Sequence, residues 1–383
     1  MKILVISNYY PPHYIGGYEL ACFNTVEYLK NCGHELFVLT GNHKQESDEI
    51  SSVYRKLKYI DYKNPSFLNK HNIEVYNYNL TKQLIEMLKP DLVYLWSLRL
   101  ISLSPAIAVQ DLKSKKIFEI GDFWMKGYFS NTLFSKIKRG LKNILPFTIG
   151  SNIEFSPAIC VSNWLAKEMK TKYKSKELHI IPNGTKIQKH KKNTLSTKIK
   201  YMFCGRIDHT KGLDLALKAL GNIKQRGINN FVFHIYGEGD NVYINKCKSI
   251  IKVLNLTNEV VFCGKKEDIQ KYYPLYNILL MPTRMREPFG LVIIEAMAAG
   301  VVPIATNAYG PAEIIDNYKN GLLFKSENIE DLSTKILELH TNNHLYNKLS
   351  LTGLKSVSER FDLQNVKREV ENILLKTVQK DLL

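Results

Sequence analysis

Cysteine is sparse. Six residues, Cys22, Cys32, Cys160, Cys204, Cys247 and Cys263, are scattered over 383 positions, with no CxxC pair and no histidine at zinc-finger spacing. That excludes a small disulfide-stapled scaffold, and the thiols read as reduced packing residues in a reducing compartment. Long hydrophobic runs are missing too. The opening MKILVISNYYPP has one Lys and only four consecutive apolar residues before Ser7, too short for a secretory core. The richest later stretch, Leu291 to Ala305, is broken by Glu295, Gly300 and Pro303. The expectation is therefore no export and no transmembrane helix. Acidic side chains are the minority, 36 Asp+Glu against 53 Lys+Arg, for a net charge of +17. The excess implies an anionic partner: nucleic acid, a lipid surface or phosphorylated small molecules.

What is present is a core-forming chain, 45% apolar, of a length that suits two domains or one large α/β unit. Lys2 to Ser7 reads as a strand, followed by a turn-rich stretch holding Pro11, Pro12, Gly16 and Gly17. A helix over Tyr18 to Cys32 follows, with Leu20, Phe23, Val26 and Leu29 at helical spacing, and Glu35 to Thr40 is again strand. This is a βαβ unit. The alternation continues with a helix near Leu80 to Leu88 and strands at Leu92 to Trp96, Lys116 to Ile120 and Ile159 to Ser162. Residues 42 to 75 are polar and without clear period, an insertion with no assigned element. Past a basic stretch with Lys189, His190, Lys191 and Lys192 the pattern restarts. Strands at Lys200 to Cys204, Phe231 to Tyr236, Val260 to Cys263, Ile278 to Pro282 and Pro303 to Thr306 alternate with helices at Gly212 to Arg226, Val242 to Leu254, Glu267 to Tyr276 and Gly290 to Gly300. The chain is thus expected to form two doubly wound parallel-sheet domains, 1–184 and 200–360, with a linker at 185–199 and a closing helix over 361–383. Ligands belong at the carboxyl ends of the strands.

The densest chemistry lies at Arg284-Met285-Arg286-Glu287-Pro288-Phe289-Gly290-Leu291 and onward to Glu295. Pro288 biases Glu287 away from helix, so it belongs to the loop leaving a strand. The helix then starts near Gly290, where free amides and the absent Cβ suit a phosphate. Glu295 follows in the second turn of a helix apolar on nearly every side, so its carboxylate must have a partner. One acid before and one after this helix start can grip hydroxyls on both sides of a diphosphate. Gly205-Arg206-Ile207-Asp208-His209-Thr210-Lys211-Gly212 sits on the loop after another strand, and there Arg206 and Lys211 are placed to take the growing charge of a departing diphosphate. Gly237-Glu238-Gly239 offers either close ligand approach or a tight turn, and Gly16-Gly17 likewise. Asp122 ends a strand at the expected cleft, with Trp124 read as an aromatic wall.

These residues resemble glycosyltransferase family 4 of the GT-B fold over nearly the whole chain. The resemblance rests on Glu287 and Glu295 in a Glu-x7-Glu motif within Pro-Phe-Gly and Glu-Ala-Met-Ala-Ala-Gly context, supported by Gly16-Gly17, Pro182-Asn183-Gly184, Gly205-Arg206 with Lys211, Gly237-Glu238-Gly239, Gly310 to Glu313 and Glu359-Arg360-Phe361-Asp362. It implies two Rossmann-like domains facing a central cleft, an N-terminal acceptor domain, a C-terminal nucleotide-sugar domain, and a last helix that crosses back to the first. It also implies sugar transfer from a nucleotide diphosphate donor, UDP- or GDP-linked, with retention at the anomeric carbon and neither metal nor other cofactor. The absence of any Asp-x-Asp triplet agrees with that. In family terms Glu287 holds hydroxyls of the donor sugar, Glu295 the ribose, Gly17 approaches the diphosphate or the donor sugar, and the backbone at Gly290 and Leu291, beside Phe289, binds the distal phosphate. One departure stands out: many members carry His before the acid matched by Asp122, and this chain has Gly121.

The acceptor is expected to be a glycan, lipid-linked in a cell-surface polysaccharide or lipopolysaccharide pathway. Within 131–147, Lys136, Lys138, Arg139 and Lys142 interleave with Phe134, Ile137, Leu141, Ile144 and Leu145. That pattern fits a packed helix with a solvated basic side or an anionic membrane surface contact. The expected setting is cytoplasmic, with peripheral contact at the inner leaflet. A nicotinamide dehydrogenase is disfavoured because G-x-G-x-x-G does not follow the first strand. A nucleic-acid partner is disfavoured because the basic residues are dispersed and form no known module. The alternatives kept open are a sugar-nucleotide epimerase and a non-catalytic nucleotide-sugar binding protein.

Overall fold

The computed structural model describes residues 1–42, 52–61, 67–128, 153–187 and 198–380. The basic segment 131–147 and most of the expected linker lie outside the described residues.

Among the described residues thirteen strands form two parallel sheets. The first contains β1 (Lys2–Ser7), β2 (Glu35–Gly41), β3 (Val53–Leu57), β4 (Leu92–Leu95), β5 (Lys116–Ile120), β6 (Ala158–Cys160) and β7 (Leu178–Ile180), in the order β3-β2-β1-β4-β5-β6-β7. The second contains β8 (Ile199–Cys204), β9 (Phe231–Tyr236), β10 (Val260–Gly264), β11 (Ile278–Met281), β12 (Val302–Thr306) and β13 (Leu322–Phe324), in the order β10-β9-β8-β11-β12-β13. Central strands such as β4 and β11 are buried at every position, as strands covered on both faces must be, so they read as continuous apolar runs. In both sheets the winding reverses beside the first strand, between β1 and β4 and between β8 and β11. Connections diverge at such a switch point and leave a crevice at the carboxyl edge.

The chain divides into two compact units, Met1–Ile181 with Lys367–Leu383, and Pro182–Val366. The helix Leu363–Gln379 therefore begins with one unit and continues into the other. Within the first unit Glu371 accepts from Tyr28 Oη at 3.1 Å and pairs with His34 Nε2 at 2.9 Å. All six cysteines are free. Among the described residues no helix is long and apolar enough to cross a membrane.

Two expectations need correction. Within 42–75, the insertion without an assigned element, the described residues hold the edge strand β3 and the start of a helix that runs Phe67–Leu88, well before the expected start near Leu80. The strand escaped notice because Val-Tyr-Arg-Lys-Leu carries edge charges instead of an apolar run. The helix expected over Glu267 to Tyr276 is instead two 3₁₀ turns, Ile269–Lys271 and Tyr273–Leu275. Pro274 lacks the amide that an α-helix would need there.

Candidate active site

In the second unit the carboxyl edge is built by two loops, one after β8 and one after β11, and they are stitched together by backbone. The carbonyl of Thr210 accepts from Arg284 N at 2.8 Å, Met285 N at 3.1 Å and Thr283 Oγ1 at 3.2 Å. Gly212 has φ +72°, and a Cβ there would stand 1.9 Å from the Pro282 carbonyl, so only glycine allows the loops to approach this closely. Asp208 caps the turn His209–Lys211, accepting from Thr210 N at 2.9 Å and Lys211 N at 3.2 Å. The result brings Lys211 Nζ to 2.6 Å from Glu287 Oε2, across 76 residues of sequence, with 23% and 14% of the two side chains exposed. An ion pair so shielded is far less screened than a surface one.

Arg206 does not join this pair. It is largely exposed and pairs with Asp208 through Nε. The cation that is fixed at depth is one that sequence reading gave no role: Arg284. Its guanidinium donates from Nη1 to Asp214 Oδ1 at 2.7 Å, from Nη2 to Asp214 Oδ2 at 2.9 Å and from Nη1 to the His209 carbonyl at 3.1 Å. Tyr243 Oη donates to Asp214 Oδ1 at 2.5 Å. Burial pushes the Asp214 carboxyl up, but the hydrogen bonds from Arg284 and Tyr243 outweigh it and hold the group at about 2. No local pattern announces this triad, since its members lie in three different elements.

Glu295 is half-buried in the helix Leu291–Ala298 and has the partners its position demands. Gln270 Nε2 donates to Oε1 at 3.2 Å and Tyr273 Oη to Oε2 at 3.0 Å. Burial outweighs both bonds and raises its pKa. At the end of β8, burial pushes the Cys204 thiol up to about 12, with the Glu295 charge adding and the Lys211 charge opposing. Glu295 and Lys211 thus both act on the carboxyl end of β8. The helix begins after Gly290, φ +114°, with no side chain capping its first amides. Leu291 is its first residue.

The expected loop Gly237-Glu238-Gly239 both lines a cavity, with Ile207, Lys248 and Phe262, and packs closely against the loop after β8. The space that a side chain at Gly237 or Gly239 would fill belongs to the neighbouring loop: a Cβ would meet the Gly205 carbonyl at 1.9 Å or the Ile207 carbonyl at 2.1 Å. These glycines therefore admit backbone, and Gly205 itself faces open space. Glu238 is exposed and uses its carbonyl to accept from Ile207 N at 2.9 Å. Phe289 is 5% exposed, its ring edge-on to Phe361 at 5.9 Å.

In the first unit Gly16 caps the helix Gly17–Asn31, and its amide is taken by Glu19 Oε2 at 3.0 Å. Beside Gly17, Tyr18 donates to the Glu119 carbonyl at 2.5 Å and accepts from Gly121 N at 3.3 Å. A Cβ at Gly121 would stand 2.5 Å from the Tyr18 ring, so the ring fills the place a side chain at 121 would take. Asp122 pairs with Arg99 at 2.7 Å and accepts from Trp124 N at 2.8 Å. Trp124 is not an aromatic wall: it is 4% exposed and packs edge-on against Phe155 at 5.9 Å.

The chain matches two family models, Glycosyl transferases group 1 over residues 185–355 and Glycosyltransferase Family 4 over residues 15–189. It is 27% identical over 367 residues to an uncharacterised glycosyltransferase of Methanocaldococcus jannaschii, covering 94% of each chain. A solved glycosyltransferase of Rickettsia africae superposes with TM-score 0.75 at 21% identity, covering 99% of this chain and 98% of that one. An Anabaena protein solved in complex with UDP and glucose superposes with TM-score 0.72 at 18% identity, covering 98% of this chain and all of that one.

Proposed function

Because the chain belongs to glycosyltransferase family 4 and has the GT-B fold, we propose that it moves a sugar from a nucleotide diphosphate donor to a glycan, with the anomeric configuration retained. The observation that carries this reading is the shielded Lys211–Glu287 pair, 2.6 Å apart at the carboxyl edge of the second sheet, with the uncapped helix start at Gly290 following in the same loop. Glycosyl transfer breaks the bond between the anomeric carbon and the diphosphate, so negative charge grows on the leaving oxygen. Fixed donors aimed at such charge, here Lys211 and the amides after Gly290, stabilise the transition state without reorganising during the reaction. Glu287 holds the ammonium in place and accepts from sugar hydroxyls, and Glu295, kept in orientation by Gln270 and Tyr273, accepts from the ribose. The acceptor hydroxyl attacks from the face the diphosphate leaves, and its proton passes to a donor phosphate oxygen. On this reading Arg206 and Lys211 carry charge that a divalent ion carries elsewhere.

The UDP in the Anabaena complex supports a nucleotide diphosphate donor of UDP type, with GDP as the second choice. A lipid-linked acceptor and peripheral contact with anionic lipid rest on the net charge of +17 and the basic segment 131–147. The epimerase and the non-catalytic binder are not favoured by the family matches. The test is a thermal-shift screen of UDP-, GDP-, ADP- and CMP-linked sugars, followed by measurement of nucleotide release with and without glycan acceptors. One donor class should stabilise the protein by about 2.7 kcal/mol at 100 times its Kd, with release dependent on acceptor. Lys211→Met should lower kcat by about 10²–10³-fold. Stabilisation by none of the four, or release indifferent to acceptor, defeats the reading.

A further inference from the structure

We propose that Arg284 is a positioning residue of the donor site, acting through Lys211 and Glu287. The inference rests on the reading of that site given above. Lys211 and Glu287 stand on separate loops, and nothing local in either loop fixes the distance between them. What fixes it is a seam running from Gly212 against Pro282, through the three donors on the Thr210 carbonyl, to the Arg284 side chain. Arg284 closes that seam from both ends. Its own amide and that of Met285 bind the Thr210 carbonyl, while its guanidinium binds the His209 carbonyl and Asp214, the second residue of the helix Leu213–Gln225. Lys211 lies between His209 and Asp214 in sequence, and Glu287 follows Arg284 by three residues, so each partner sits beside an anchor of the same clamp.

The guanidinium is not a ligand for phosphate. Both of its terminal nitrogens are committed, bidentate, to one carboxylate, and only 13% of the side chain is exposed. Asp214 is in turn 4% exposed and steadied by Tyr243. A planar fork fits this arrangement and an ammonium does not, so Lys at 284 keeps the charge while losing the geometry.

The experiment is a double-mutant cycle of Arg284→Lys and Lys211→Met, read on kcat/KM for sugar transfer and on Kd for UDP and GDP by calorimetry, with circular dichroism to confirm that each variant is folded. Tyr243→Phe, which removes the hydroxyl that donates to Asp214 Oδ1 at 2.5 Å and accepts from Asp214 N at 3.1 Å but leaves the guanidinium–carboxylate fork in place, serves as a milder perturbation of the same clamp. Arg284→Lys should lower kcat/KM by about 10–100-fold, the loss expected from misplacing reacting groups by about 1 Å, and Tyr243→Phe should lower it in the same direction by less. The pair should be non-additive: with Lys211 already replaced, Arg284→Lys should cost no more than about 3-fold further. Additive losses, or a fall in melting temperature with kcat/KM and Kd unchanged, overturn the inference. If wild type binds neither UDP nor GDP and transfers no sugar, it is the parent reading that fails. If wild type binds them and the losses add, only the clamp fails.

Discussion

Replacing Asp214 with Asn and lowering the pH should expose how much of the second unit's stability resides in one carboxylate. In the folded chain Asp214 is held at about 2 by Arg284 and Tyr243 against an ordinary value of 3.8. At 1.36 kcal/mol per pH unit, that interval corresponds to roughly 2.4 kcal/mol. A depressed carboxylate contributes this stability above its unfolded value and loses it as pH falls through the folded one. In the wild type the Asp214 contribution to the second unit should therefore be unchanged from pH 7 down to about 5, weaken by about 1 kcal/mol at pH 3, and be mostly lost near pH 2. Asp214→Asn removes the acid but leaves Arg284 buried without its counter-charge, so it should cost about 3–5 kcal/mol at pH 7 and show a shallower acid dependence. Trp96, Trp124 and Trp164 all lie in the first unit, so tryptophan fluorescence is blind to this change. Amide exchange in peptides covering residues 201–225 and 283–290, corrected for intrinsic rates at each pH, reads it directly. Parallel losses in wild type and variant between pH 5 and 2.5 would refute the assignment of that acid sensitivity to Asp214.

Two further expectations use other parts of the molecule. Glu119 accepts from Tyr94 Oη at 2.5 Å, and burial raises its pKa from 4.5 to about 8. Its contribution is therefore present below pH 4.5 and lost as pH rises towards 8, by up to roughly 5 kcal/mol. Urea midpoints followed by tryptophan fluorescence should fall over that window in wild type and stay level in Glu119→Gln. Gly239→Ala, whose Cβ would lie 2.1 Å from the Ile207 carbonyl, should destabilise the second unit by about 2 kcal/mol or more. Gly16→Ala, where φ is −159° and nothing lies within 4 Å of the added carbon, should cost under about 1 kcal/mol. Equal melting shifts for the two would contradict the packing described.

The fold was legible wherever apolar runs and glycine punctuation agree, as in β1, β4, β8 and β11. It was not legible at β3, whose edge position relaxes the pattern, nor at Pro274, where helical spacing of apolar residues continues through a residue that cannot donate. Of the site, Lys211 and Glu287 were visible as types at strand ends, yet their pairing was not, because 76 residues separate them. Arg284 looked like one of two arginines in a loop, and its meaning depends on Asp214, 70 residues away. Trp124 misled for the same reason: Phe155, against which it packs, returns from far along the chain. Chemistry-bearing residue types show in sequence, whereas partners chosen by the fold do not.

The split membership of the helix Leu363–Gln379 bears on how the protein is made. The unit Pro182–Val366 is one uninterrupted stretch, so all its strands have been synthesised before the last turns of that helix exist, and domains generally fold as units during synthesis. The earlier-translated unit has to wait: Glu371, the partner of Tyr28 and His34, arrives only after the whole second sheet has been produced. The half translated second is thus the one that needs nothing made after it, and a chain cut off before residue 367 would keep every residue of that half while the other lacked its closing helix.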